Sequence, residues 1–81
     1  MINPIIEQIE NIDPKFKKLI ALNQSQTAAA IGVSSSTLEG WRKKSIGPNY
    51  LKMGESEKKG RILYPKTEIA LWLVSHLVKT A

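Results

Sequence analysis

Residues 24–44 read QSQTAAAIGVSSSTLEGWRKK, and the order of helix-forming runs, starts and stops within them decides the fold. Asn23 precedes the run and Gln26 lies three residues on, a capping-box-like pair whose side chains can satisfy free backbone amides. Ala28, Ala29 and Ile31 then supply small and apolar packing surface. Gly32 falls where a helix end needs left-handed backbone, which glycine adopts at little cost, and Val33 pins the turn to the core. Ser34 can cap a second helix in which Leu38 and Trp41, three residues apart, face inward. Ser35, Ser36, Glu39, Arg42 and Lys43 are left outward. Two short helices about a tight turn, the second polar outside and ending in cations, predict a helix-turn-helix whose second helix a DNA major groove accepts.

Pairs of short helices joined through glycine also occur in domains that never touch nucleic acid. Charge placement favours the nucleic-acid reading. Residues 1–22 carry three basic and three acidic side chains, residues 23–66 eight basic against three acidic, and residues 67–81 one of each. The whole net charge of +5 lies in the middle segment, where a cationic block on and after the candidate reading helix matches the electrostatic footprint of phosphate binding.

A chain of 81 residues predicts one domain, 1–81, and a thin core, since so short a chain buries only about 60 per cent of its unfolded surface. The absence of cysteine excludes disulfides and cysteine-based metal sites and agrees with a cytoplasmic protein. His76 is the lone histidine and cannot build a metal site alone; at its position it reads as an edge-of-core or surface residue. No cofactor or metal is expected. The longest apolar run, residues 69–74, is far short of a membrane span, and the N-terminus lacks the order of a signal peptide. The expectation is a soluble, intracellular protein.

An N-terminal helical extension, residues 1–22, precedes the helix-turn-helix at 23–44. Ile2, Ile5, Ile6 and Ile9 share one helical face over about 4–11, with Glu7, Gln8 and Glu10 opposite and Pro4 in the first turn. Asp13 and Pro14 restart the chain, and Phe16, Leu19 and Ile20 suggest a second short helix at 14–21, although FKKLIAL also suits extended backbone. These segments either pack over the core or form a dimerisation arm. After Lys44, Gly47 and Pro48 break the helix, and a hairpin is predicted over 50–64 from Tyr50 to Met53 and Arg61 to Tyr64, around a long glycine-bounded tip with Lys58 and Lys59. The tip is either a DNA-reaching wing or a solvated loop, the latter suggested by Glu55 and Glu57. Pro65 opens a last packing helix, 65–79, with Ile69, Trp72, Leu73, His76 and Leu77 on one stripe and Leu71, Val74 and Val78 on another. Trp41 and Trp72 are expected in the core.

Taken in order, LNQSQTAAAIGVSSSTLEGWRKKSIGPNYLKMG (22–54) and GRILYPKTEIALWL (60–73) resemble the small winged helix-turn-helix proteins of the excisionase, AlpA and MerR-like group. The matching residues are Ile31, Gly32, Val33, Ser34, Thr37, Leu38, Trp41, Gly47, Pro48, Gly54, Arg61, Tyr64, Glu68, Trp72 and Leu73. The resemblance implies a mainly α fold with a small β-hairpin, a second helix in the major groove, a wing on the minor groove or backbone, and a role in prophage or mobile-element regulation or recombination. Ser35, Ser36 and Gly40 replace an early basic residue and a bulky one common in the group. Glycine costs up to about 1 kcal/mol in mid-helix, so Gly40 either lets the backbone approach DNA or marks a weakened reader.

The chain is thus expected to be a non-enzymatic, sequence-specific binder of double-stranded DNA, acting as a homodimer or a cooperative array. Ser35, Ser36, Glu39 and Lys43 would meet base edges, with Thr37, Arg42, Lys44, Lys58, Lys59 and Arg61 on phosphates. The alternatives are the DNA-recognition module of a phage terminase small subunit and a protein-interaction module that has lost DNA binding. No paired carboxylates, nucleophile–base arrangement or phosphate-cradling loop suggests an enzyme.

Overall fold

A computed structural model describes residues 2–54 and 61–76. The first helix, α1 (Ile2–Ile12), buries Ile9 and packs Ile5 against the core. It stops at Asp13, whose carboxylate accepts from the Lys15 amide at 2.9 Å and opens a 3₁₀ turn, Pro14–Lys18, that buries Phe16. The helix expected over 14–21 is therefore one short turn. The chain then extends into β1 (Ala21–Asn23), where Leu22 is fully buried and pairs with Tyr64, a gain that continuing the helix would forfeit.

The second helix, α2 (Gln24–Ile31), carries the capping box: the Gln26 amide donates to Asn23 Oδ1 at 2.7 Å and the Asn23 amide to Gln26 Oε1 at 2.9 Å. At its end the amides of Gly32 and Val33 both donate to the Ala28 carbonyl, and Gly32 holds φ at 95°, backbone that a Cβ would strain. Ala28 is buried and Ile31 half-buried, whereas Ala29 faces outward and adds nothing to the core. The third helix, α3 (Ser35–Lys43), begins with Ser34 Oγ accepting from the Thr37 amide at 3.1 Å. It ends without help from Gly47 or Pro48, because the Ile46 amide donates back to the Trp41 carbonyl at 2.9 Å while Ser45 turns left-handed at φ 60°.

A hairpin of β2 (Leu51–Met53) and β3 (Arg61–Pro65) was predicted, and β1 adds a third strand to it, in the order β1-β3-β2 with both pairings antiparallel. The register sets Leu22 opposite Tyr64, and Leu51, Lys52 and Met53 opposite Leu63, Ile62 and Arg61. Side chains alternate across a sheet, so Leu22, Ile62 and Tyr64 turn to one face and Ala21, Asn23, Leu51, Met53, Arg61 and Leu63 to the other. The first face closes the core with Ile9, Phe16, Ala28, Leu38 and Ile69.

The last described helix, α4 (Lys66–Ser75), buries Ile69 and Ala70 and packs against α1, while Leu71 is exposed. The predicted continuation to 79 lies outside the described residues. Trp72 meets Trp41 with ring centroids 5.3 Å apart; both rings are half-buried at the rim rather than inside the core as expected. His76 is exposed and stacks on Trp72 at 4.5 Å. Lys66 is buried, with Nζ donating to Glu10 Oε2 at 2.6 Å and to the Phe16 carbonyl at 2.8 Å. Glu10 therefore leaves the polar outer face assigned to it, and the N-terminal segment packs over the core. The described chain is mainly helical with a small three-stranded antiparallel sheet. None of its helices is long and apolar enough to cross a membrane.

Candidate functional site

Helix α3 has one face committed to the core by Leu38, which is fully buried. At 3.6 residues per turn, Ser36, Gly40 and Lys43 stand roughly 140–200° around the helix from Leu38 and form its crest. Thr37 and Lys44 flank the crest on one side and Glu39 on the other; Ser36, Thr37, Lys43 and Lys44 are exposed. Ser34 Oγ sits 2.8 Å from Thr37 Oγ1 and 3.2 Å from Ser36 Oγ, which gathers three hydroxyls at the N-terminal end. A Cβ built on Gly40 would meet nothing within 4 Å, so the crest has a notch where a side chain would fit freely. Glu39 lies 3.7 Å from Arg42 Nη2 and 3.9 Å from Lys43 Nζ, and its carboxylate is shared between two cations instead of standing free for a base.

Ser35 stays exposed as expected but makes contacts within the protein, whereas Arg42 turns toward it. Ser35 accepts from Gln24 Nε2 at 3.2 Å through Oγ and at 3.3 Å through its carbonyl, which ties the start of α3 to the start of α2. The Arg42 side chain is only 22% exposed against 70% for Lys43. Its guanidinium lies over the Tyr50 ring, 5.9 Å from the centroid. Arg42 follows Leu38 by four residues, and that spacing places it on the shoulder of the buried face. The same arithmetic that identified Leu38 could have identified Arg42.

Arg61 is not brought to α3. It opens β3 on the sheet face away from Tyr64 and lines a shallow hollow with Leu19, Ala21, Asn23, Gln26 and Leu63. Lys52, overlooked in the sequence, pairs with Ile62 and so lies on the face toward α2 and α3, exposed beside Tyr50. Strand alternation counted from Tyr64 is the signal that could have found it. Lys58 and Lys59 lie outside the described residues. Lys66, also part of the basic block, is used internally.

Between α3 and the hairpin, Tyr50 and Tyr64 face each other at 5.8 Å. Tyr64 Oη and Arg42 Nε are buried, and neither has a hydrogen-bond partner among the described residues. Burial pushes the Tyr64 phenol above its ordinary value, and the nearby Arg42 guanidinium pulls it part of the way back. Gly47, with φ 89°, passes close over the same helix end, where an added Cβ would sit 3.4 Å from the Trp41 side chain. Asn49 Nδ2 donates to Glu68 Oε1 at 2.8 Å and holds the connecting loop to α4. Among the described residues no group of three or more His, Cys, Asp or Glu could hold a metal ion. Against this geometry, comparison with protein-family models, curated proteins and solved structures finds no match.

Proposed function

We propose that this protein binds double-stranded DNA as a winged helix-turn-helix, with the crest of α3 entering the major groove and the β2–β3 hairpin lying beside it. The observation that carries this reading is the make-up of the crest: Ser36, Gly40 and Lys43 present hydroxyl, bare backbone and ammonium, with no apolar side chain among them. Lys44, at the end of α3, and Lys52, on β2, are further exposed cations. Hydroxyl and ammonium groups read base edges, while lysines at the margin neutralise phosphates. Ser36 and Lys43 are assigned to bases, and Thr37, Lys44 and Lys52 to the backbone. The biological role that suits so small a module is regulation of a phage or mobile element, or architectural assistance to recombination.

Selection from a random DNA pool, followed by salt titration of the selected complex, tests this. Three to five phosphate contacts give a slope of log K on log salt of roughly −3 to −4.5. No DNA retained at low salt, or a flat response, refutes the reading. One observation favours a second reading, a protein-interaction module: Leu51 and Met53 on the outer sheet face are 52% and 55% exposed. Binding through that face would resist salt, and Leu51→Asp would abolish it.

A further inference from the structure

We infer that Arg42 is a positioning residue, whose guanidinium, held against Tyr50 and Tyr64, locks the end of α3 to the β2–β3 hairpin and sets the separation between the reading helix and Lys52. The inference rests on the DNA-binding reading for its consequence but on protein geometry for its substance. A phosphate-binding arginine needs its fork in solvent. Arg42 instead has a buried Nε and a side chain far less exposed than its neighbour Lys43.

What surrounds the guanidinium suits a clamp. Among the described residues its one close carboxylate is Glu39, on its own helix at 3.7 Å; the other groups near it come from the hairpin side, the Tyr50 ring and the Tyr64 hydroxyl. A planar cation stacks on an aromatic face and presents directed N–H groups at its edge, which the ammonium of lysine cannot imitate. The chain between α3 and β2 already meets α3 where Gly47 crosses Trp41, and Asn49 ties it to α4. Arg42 on Tyr50 adds a contact with α3 nearer the strand. Because β3 is held by β1 and the core, that contact sets how closely the end of α3 approaches the β2 edge. Lys52, two residues beyond Tyr50, would move with it.

Charge retention separates the clamp from a phosphate contact. Arg42→Lys and Arg42→Gln should both weaken specific DNA binding, by a similar factor of roughly 3 to 30, with the salt slope unchanged. Tyr50→Phe should bind like the parent, and Tyr50→Ala should match Arg42→Gln, with the double variant no worse than either. Lys44→Gln, at a residue assigned to phosphate, serves as the contrast, reducing the slope by about 0.9. A parent-like Arg42→Lys together with an Arg42→Gln that lowers the slope by about 0.9 overturns the proposal. Circular dichroism melts confirm that each variant is folded, and the lysine variant remains informative if the glutamine one is not. A readout without DNA separates this inference from the reading beneath it. Removing the guanidinium should push the phenolate titration of Tyr64, followed by ultraviolet absorbance, higher still. An unmoved titration overturns the clamp whether or not the protein binds DNA, whereas a moved titration in a protein that retains no DNA supports the clamp and refutes the DNA-binding reading.

Discussion

Replacing Gly40 with alanine separates what α3 needs for folding from what it needs for recognition. Gly40 is interior to a nine-residue helix, and an added Cβ meets no atom within 4 Å, so the methyl group enters without strain. The stability change then reduces to the difference in helix propensity, a gain of about 0.8–1 kcal/mol. In a domain of this size that raises Tm by roughly 4–8 °C, readily measured by circular dichroism. The same methyl group stands on the crest between Ser36 and Lys43, where the groove floor would come closest. Specific DNA affinity should therefore fall at least about tenfold, the equivalent of 1.4 kcal/mol, while the melt improves. A variant less stable than the parent would refute the open, helical setting of Gly40. A stabilised variant with parental affinity would refute close backbone approach and leave Gly40 as a weak point in the reader.

Lys66→Ala should lower stability by about 1–3 kcal/mol in urea melts, because Glu10 and the Phe16 carbonyl lose their shared donor; a change below about 0.5 kcal/mol would refute a structural role for that contact. Lys52→Gln should reduce the salt slope of DNA binding by about 0.9 with sequence preference retained, and Arg61→Gln, on the opposite sheet face, should leave the slope nearly unchanged. Equal effects of the two would show that the sheet does not present one face to DNA. The Tyr64 phenol is raised in the folded state chiefly by burial, so the stability it contributes is fully present below its unfolded pKa of about 10 and is lost as pH climbs through the higher folded value. Urea melts across that alkaline window should show the decline in the parent and a smaller one in Tyr64→Phe.

The features visible in the sequence are those whose cause lies within a few residues. The Asn23–Gln26 box, the left-handed Gly32 and the Ser34 cap each satisfy backbone groups three or four positions away, and the structure contains all three. Leu38 was equally plain, since nothing competes for a leucine on that face. The misplaced features depend on distant chain. Residues 19–23 suit a helix or a strand by themselves, and β3 decides the matter by supplying partners for Leu22 and Asn23. Glu10 belongs on a polar face until Lys66, 56 residues on, arrives beside it as a buried cation. Arg42 differs for another reason: its charge suits an outward position, but its spacing from Leu38 does not, and a long side chain can bury its stem and rest its head on an aromatic ring. Arg61 and Lys52 exchanged importance because sheet faces depend on register, which no single strand reveals.

The position of β3 has a consequence for how the molecule comes into being. Among the described residues it is the last strand and the middle strand of the sheet, so β1 and β2 have no partner until residues 61–65 dock between them. Everything from α2 to β2 is then a closed loop, joined at its base by the pairing of Leu22 with Tyr64. Closing such a loop must be done before its contacts repay the entropy, which makes assembly late and cooperative rather than stepwise. A chain interrupted anywhere before Arg61 would hold α2 and α3 as local helices with Leu22 and Leu38 uncovered, too short to persist in water. Helix α3 and the sheet that supports it would therefore appear together or not at all, and a nascent or clipped chain would have no partly assembled form to release.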